Sequence, residues 1–236
     1  MSKWSENYHL VKEIDAALDG IIEIDEQHEM SILLHRNVIA HCIAIHILLE
    51  KKLLTSAQPL LRLLFESLVK AHWFKLCATQ QDIKGYIDGQ EIYFRKEDGI
   101  IVKEKSSGKN KNKKKKSIQD LIDNVENRDS KLGRNLKQFY KKNSPIIHSF
   151  VHSGTYQLSS MQSGTGFQQI DNPEQYNWIS KKSIALAISS VDEISNIMID
   201  DHRVKQKITE IRYKLYQTIA PDEPAFKQDT GELTSL

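Results

Sequence analysis

The chain has 236 residues, 39% hydrophobic and 27% charged, with a net charge of +2. Ten glycines and five prolines are few for that length, so a Leu-, Ile-, Lys- and Glu-rich sequence with few breakers points to an all-α fold. No 18-residue apolar run stands out and the start, MSKWSENYHL, lacks the apolar centre of a secretory signal, so a cytoplasmic protein with no membrane partner is expected.

The first amphipathic helix is expected over residues 5 to 22, with Leu10, Val11, Ile14, Ala17, Leu18 and Ile21 on one side and Gly20 near its end. A second runs from about 27 to 53. Thr55 and Ser56 offer an N-cap for a third, with Pro59 in its first turn, and it continues to about Ala78. Thr79 caps a short helix, QQDIKGYI.

From Gly89 to Lys116 the periodicity vanishes. IYFRKEDGIIVKEK suits a short hairpin around Asp98-Gly99, and SSGKNKNKKKK suits a flexible loop. Residues 103 to 116 hold eight Lys and one Glu, a net +7, which leaves the rest of the chain at −5. Ser117 reopens helical pattern with SIQDLIDNVEN, and KLGRNLKQFYKK follows. NSPIIHSFVHSGTY reads as a separate short helix with Ser144 as N-cap, Pro145 at the first position and Gly154 as its stop. Residues 159 to 172 form a Gly/Ser/Gln loop. Two long helices, about 174 to 199 and 202 to 219, close the bundle. The expected organisation is one helical domain over 1–220, with a long insertion at 89–116 and a disordered tail at 221–236.

Cys42 and Cys77 both fall in apolar helical patterns, as buried reduced thiols do, and are not spaced as a metal site. No cofactor and no metal is expected.

Three polar constellations interrupt the apolar pattern. In HRNVIAHCIAIH, Asn37 and His41 are four apart on one face, whereas Arg36 stands about 140° from His41 around a regular helix. His28, His35 and His46 share a third face. Asn37 and His41 are expected as a polar spot in the core. In TSAQPLLRLLFESLVKAHWF, Leu60, Leu61, Leu63, Leu64 and Phe65 surround Arg62 and Glu66, so the two charges are expected to be buried and paired. The pair is either a structural tie between helices or an arginine oriented by Glu66 toward an anionic ligand, with Trp73 walling the pocket. In IIHSFVHSG, His148 and His152 are also four apart, suited to acid and base roles or to a satisfied polar cluster at a helix crossing. Ser149 stands where the metalloprotease pattern H-E-x-x-H needs Glu, which excludes that reading. A metal held by Glu66, His148 and His152 is a further, weaker option.

Two resemblances attach to these residues. RNVIAH, residues 36 to 41, resembles the Arg-polar-x3-His motif of the HEPN superfamily of helical ribonucleases and nucleotide-binding domains. That resemblance implies metal-independent attack on RNA phosphodiesters, often across a homodimer, with Arg36 stabilising phosphate, His41 catalytic and Asn37 in support. Family motifs usually lie toward the C-terminal helices, and this one is N-terminal. Residues 56 to 79 and 148 to 158 are similar to the two blocks of a bacterial helical family of unknown function. Its Arg-x3-Glu, aromatic and His-x3-His-x-Gly positions fall here on Arg62, Glu66, Trp73, His148, His152 and Gly154. Its layout is similar to proteins of mobile-element and phage-defence neighbourhoods.

Two functions follow as expectations. One is a HEPN-like endoribonuclease or nucleotide-processing toxin or defence component: Arg62, Glu66, His148 and His152 carry the chemistry, Arg36, Asn37, His41 and Trp73 support it, and the lysine run attracts RNA or nucleotide phosphate. The other is a non-catalytic module of a defence or toxin–antitoxin system that binds a protein partner or forms a homodimer through its C-terminal helices. In that case the polar clusters are structural. Whether any reaction is catalysed is left open by the sequence.

Overall fold

The computed structural model describes residues 3–17, 26–89, 92, 116–151, 162–163, 166–167, 173–198 and 202–219. They form eight helices: α1 (Lys3–Ala17), α2 (Glu26–Glu50), α3 (Leu54–Cys77), α4 (Gln80–Ile87), α5 (Ile118–Arg128), α6 (Ser130–Val151), α7 (Pro173–Met198) and α8 (His202–Ile219). Inside the expected loop at 159–172, β1 (Gln162–Ser163) and β2 (Gly166–Phe167) pair antiparallel. The all-α expectation holds, and this strand pair is a minor addition. The expected end of the first helix near Gly20, the hairpin at Asp98-Gly99, most of the lysine-rich segment, Gly154 and the tail at 221–236 lie outside the described residues.

The α2–α3 hairpin is the centre of the molecule. On one side α7 packs against both of its helices, on another α5 and α6 pack against α3, and α1 and α8 pack against each other and against α2 and α7 respectively. Val38, Ile39, Ile45, Leu61, Leu64, Trp73, Ile179 and Ile194 are among the wholly buried residues of the one core that this arrangement creates. By length and composition Gln27–Glu50 could cross a membrane, so the apolar run that the sequence reading missed does exist. In the fold it is the helix around which the bundle is packed.

The α2–α3 turn differs from expectation. Lys52 has φ 59°, the Lys52 N–H reaches the Leu49 carbonyl at 3.0 Å, and the Leu53 N–H reaches the Leu48 carbonyl at 2.8 Å. This pair of bonds around a left-handed residue is a Schellman stop. It ends α2 early enough for α3 to begin at Leu54, ahead of Thr55 and Ser56, and no side chain caps it. Pro59 therefore sits in the second turn of α3 rather than the first.

The α5 and α4 starts follow the sequence. Ser117 and Thr79 each donate from backbone N–H and hydroxyl to a carboxylate three residues on, Asp120 and Asp82. Ser144-Pro145 does not start a helix, however. Leu132, Leu136, Phe139, Tyr140, Asn143 and Ile147 keep one continuous stripe against the core, and α6 runs unbroken through Pro145. Packing of that stripe outweighs the backbone bond that proline removes.

Candidate functional site

Among the described residues, most interior polar groups lie along the α2–α7 seam and on α3, with Lys116 and Asn143 buried elsewhere. The Ser31 hydroxyl donates to the Ala71 carbonyl at 2.9 Å. His35 Nδ1 meets Ser190 Oγ at 3.1 Å, and the His35 ring stands edge-on to His72 with centroids 5.0 Å apart. One helical stretch further, His46 Nδ1 lies 2.9 Å from the Cys42 carbonyl and Nε2 lies 3.0 Å from Ser180 Oγ. A carbonyl only accepts, so Nδ1 carries the proton and Nε2 accepts from the serine. Burial pushes the His46 and His72 pKa values down to about 4 and that of His35 well below its usual range, so all three rings are neutral. Burial also pushes the Cys42 thiol up to about 12, which makes it an inert core residue. Cys77, expected to be buried as well, is partly exposed.

This corrects the reading of HRNVIAHCIAIH. Asn37 is exposed and Arg36 and His41 are half-buried; burial lowers the His41 pKa. The polar spot inside the core is built by His35 and His46, because α7 packs on their face of α2 and leaves that of Asn37 and Ala40 uncovered. The signal was present: 35, 42 and 46 share one helical face, on which Cys42 marks burial.

Arg62 and Glu66 are paired as expected, Nε to Oε1 at 2.6 Å, but their side chains are 24% and 22% exposed rather than buried. Leu63 beside them is 45% exposed, so this face of α3 is a boundary between core and solvent. Phe65 is in the same turn. Its ring stacks on Phe139 and Tyr140, with centroids at 4.9 and 6.0 Å, and Tyr140 in turn presents its hydroxyl 3.5 Å from His148 Nε2. His148 is exposed and His152 lies outside the described residues.

Angular positions say which side of the α3–α6 pair these groups occupy. Counting about 100° per residue from Phe65, Arg62 stands near 60°, Trp73 near 80° and Glu66 near 100°. Trp73 faces α5, where its indole N–H donates to Asn124 Oδ1 at 3.2 Å. Counting likewise from Tyr140, Lys137 stands near 60° and His148 near 80°. Lys137 also faces α5, bonding Glu126 at 2.7 Å and Asp123 at 3.0 Å. Arg62, Glu66 and His148 thus share the α5 side of the pair.

Trp73 is wholly buried, so it roots this side rather than walling a pocket. Lys116 Nζ lies 5.1 Å above its ring and donates to Asn124 at 2.8 Å. The Lys116 N–H bonds the Ile92 carbonyl at 2.8 Å, so the insertion leaves and returns at one point. That point is about 10 Å along α3 from Glu66, on the same stripe. Among the described residues no group of three His, Cys, Asp or Glu is placed to hold a metal ion.

A family model described as a family of unknown function, DUF6988, matches residues 36–220. No curated protein and no solved structure matches the chain.

Proposed function

We propose that this chain, which belongs to the DUF6988 family of unknown function, binds and processes a phosphodiester or nucleotide on the α5 side of the α3–α6 pair, as a HEPN-like ribonuclease or nucleotide-processing protein. One observation carries the reading: the lysine-rich segment is rooted at Trp73, on the same side of α3 as Arg62 and Glu66 and the same side of the pair as His148. In this reading Glu66 fixes the plane of the Arg62 guanidinium through Nε, and Arg62 meets phosphate. His148, polarised by Tyr140, is the exposed imidazole for proton transfer, and His152 four residues on is its proposed counterpart. The lysines supply attraction that ignores sequence and weakens with salt.

The experiment is single-stranded RNA binding and cleavage with Arg62→Ala and His148→Ala. Arg62→Ala is expected to weaken binding about tenfold, consistent with one charge-assisted phosphate contact. His148→Ala is expected to leave binding intact and to slow cleavage roughly 10²–10⁴-fold, at an unchanged thermal midpoint. If the parent protein neither binds nor cleaves RNA or nucleotides, or if both variants match it, this reading is wrong.

A second reading, an interaction module, is favoured by the uncovered face of α2. Leu33 and Ile47 are 52% and 43% exposed there, with Asn37 and Ala40 exposed between them. In an antiparallel two-fold contact centred on Ala40, Leu33 meets Ile47 of a second copy and exposed Glu29 meets exposed Lys51 of that copy, so the stripe is self-complementary in shape and charge. Leu33→Glu is expected to convert a homodimer to monomer in sedimentation; an unchanged mass would remove this surface from consideration.

A further inference from the structure

Across its 22 residues α6 carries five cations, Lys131, Arg134, Lys137, Lys141 and Lys142, and no Asp or Glu. All five are exposed. α6 adds +5 to the +7 of residues 103 to 116, which leaves the rest of the chain at −10 against its total of +2. The basic charge of this otherwise acidic chain is therefore not confined to the insertion. Part of it lies on one well-packed helix.

Counting again about 100° per residue from Tyr140, Lys137 stands near 60°, Lys141 near 100°, Arg134 near 120°, Lys131 near 180° and Lys142 near 200°. The stripe from Leu132 to Ile147 that meets the core lies opposite them. Among the described residues, Lys137 alone of the five is in an ion pair, with Asp123 and Glu126 of α5. Arg134 Nε donates to the Ser130 carbonyl of its own helix at 2.9 Å, and its two terminal amino groups point past that bond. Arg134 and Lys137 are three apart, and Lys137 and Lys141 four apart. Like charges at those spacings weaken a helix instead of supporting it. Exposure keeps the cost small, but nothing within the fold gains from the row.

An external polyanion does gain from it. From Lys131 to His148 the row extends about 25 Å, the length of about seven nucleotides of a stacked strand. His148, near 80°, lies in line with Lys141 and about 10 Å beyond it. The flank near 60° is different, because Asp123 and Glu126 share the single ammonium of Lys137 and keep that edge negative. One phosphate backbone finds cations along the ridge. A second backbone beside it, over α5, meets carboxylates. The occupant that fits is a single strand, held by phosphate contacts that position it and do not read its bases.

We propose that the exposed face of α6 docks single-stranded nucleic acid by its backbone, with the strand running along Lys131, Arg134, Lys141 and Lys142 toward His148. This extends the site proposed above from one phosphodiester to a polymer, and it rests on that reading only for what happens at His148. Docking itself needs no reaction.

The test is binding of a labelled single-stranded oligouridylate of about twelve nucleotides to the full chain over a range of salt, with uridine monophosphate and a duplex of equal length as further arms. Lys131→Gln, Arg134→Gln, Lys141→Gln and Lys142→Gln in one variant are expected to lower the slope of log affinity against log salt by about 3, at about 0.7 per phosphate contact, and to weaken the strand roughly 10–10²-fold at physiological salt. All four positions are exposed, so the thermal midpoint is expected to hold. Lys141→Gln with Lys142→Gln takes about half as much from the slope and serves should the fourfold variant fail to fold. Lys12→Gln, Lys84→Gln, Lys207→Gln and Lys214→Gln together remove the same charge from exposed sites on three other helices and are expected to cost less than about threefold. Uridine monophosphate binds the parent and the α6 variants alike, and the duplex binds more weakly than the strand. Loss of strand binding in the α6 variants, with Arg62→Ala and His148→Ala matching the parent, upholds the ridge and removes the proposed reaction. Slower cleavage in His148→Ala with an unchanged salt slope in the α6 variants does the reverse. No strand binding by the parent, an equal loss in the scattered variant, or a duplex bound as tightly as the strand overturns the proposal.

Discussion

Lowering the pH from 7 toward 4 is expected to remove most of the protein's stability. His35, His46 and His72 are buried and neutral, and their folded pKa values are depressed, to about 4 for His46 and His72. In the unfolded chain each titrates near the usual value of about 6.5. The unfolded state therefore binds more protons throughout the window between those values. The stabilisation is complete above about pH 6.5 and is lost as the pH falls toward the folded values. Each of His46 and His72 contributes about 3 kcal/mol across that window. His35 adds to the same slope, and the whole stability of an ordinary domain is about 5–15 kcal/mol. Asp192 works the other way, because burial raises its pKa, but it is one group against three and its bond to Arg212 limits the effect. Urea midpoints at constant ionic strength should fall steadily from pH 7 to pH 5, with a slope approaching three protons. A flat profile would show that these imidazoles are hydrated or paired in solution.

The same argument singles out His72. Both of its ring nitrogens and Nε2 of His35 are buried without a partner. An unsatisfied donor and acceptor at one buried ring cost about 1–3 kcal/mol each. His72→Leu is therefore expected to be neutral or stabilising at pH 7 and to take about one proton from the acid slope, whereas His46→Leu, which strands the Ser180 hydroxyl, is expected to destabilise.

What the sequence made legible followed from local chemistry. The α4 and α5 starts were readable because Thr79 with Asp82, and Ser117 with Asp120, satisfy their end groups within four residues. The long closing helices were readable from periodicity alone. Where a long-range term decided, local reading failed. Ser144-Pro145 has the chemistry of a helix start, but the stripe from Leu132 to Ile147 continues through it against α3. Thr55 and Ser56 are better caps than Leu53, but the left-handed turn at Lys52 fixes where the chain reverses. The pairing of Arg62 with Glu66 was legible from their i, i+4 spacing. Their half-exposure was not, because it depends on how far α6 covers α3. The interior histidines were visible as a face of α2, yet nothing local said that α7 would cover that face and not the one bearing Asn37.

Gly133→Ala is expected to destabilise the protein by about 3 kcal/mol or more, at the upper end of overpacking changes. Read locally, the substitution should help, since glycine inside a helix costs about 1 kcal/mol relative to alanine. The corner before it reverses that sign. Asp129 alone joins α5 to α6, accepting from the Lys131 and Leu132 N–H groups at 3.1 and 2.9 Å and so capping α6 immediately after α5 ends. With one residue in the turn, the first coil of α6 is pressed against the last coil of α5. A Cβ on Gly133 would lie 2.1 Å from Glu126 Cα and 2.4 Å from Glu126 N and Cβ. Two of those three atoms are backbone, so no rotamer relieves the collision. The helices must separate, and Lys137 then loses its reach to Asp123 and Glu126. A fall of roughly 6–12 °C in the thermal midpoint is expected. Gln138→Ala, exposed on the same helix, should stay within about 0.5 kcal/mol of the parent. Glu126→Gly added to Gly133→Ala removes only the Cβ contact and should not restore stability. Full rescue by that double change would show that side-chain crowding, and not the close approach of two backbones, holds the glycine in place.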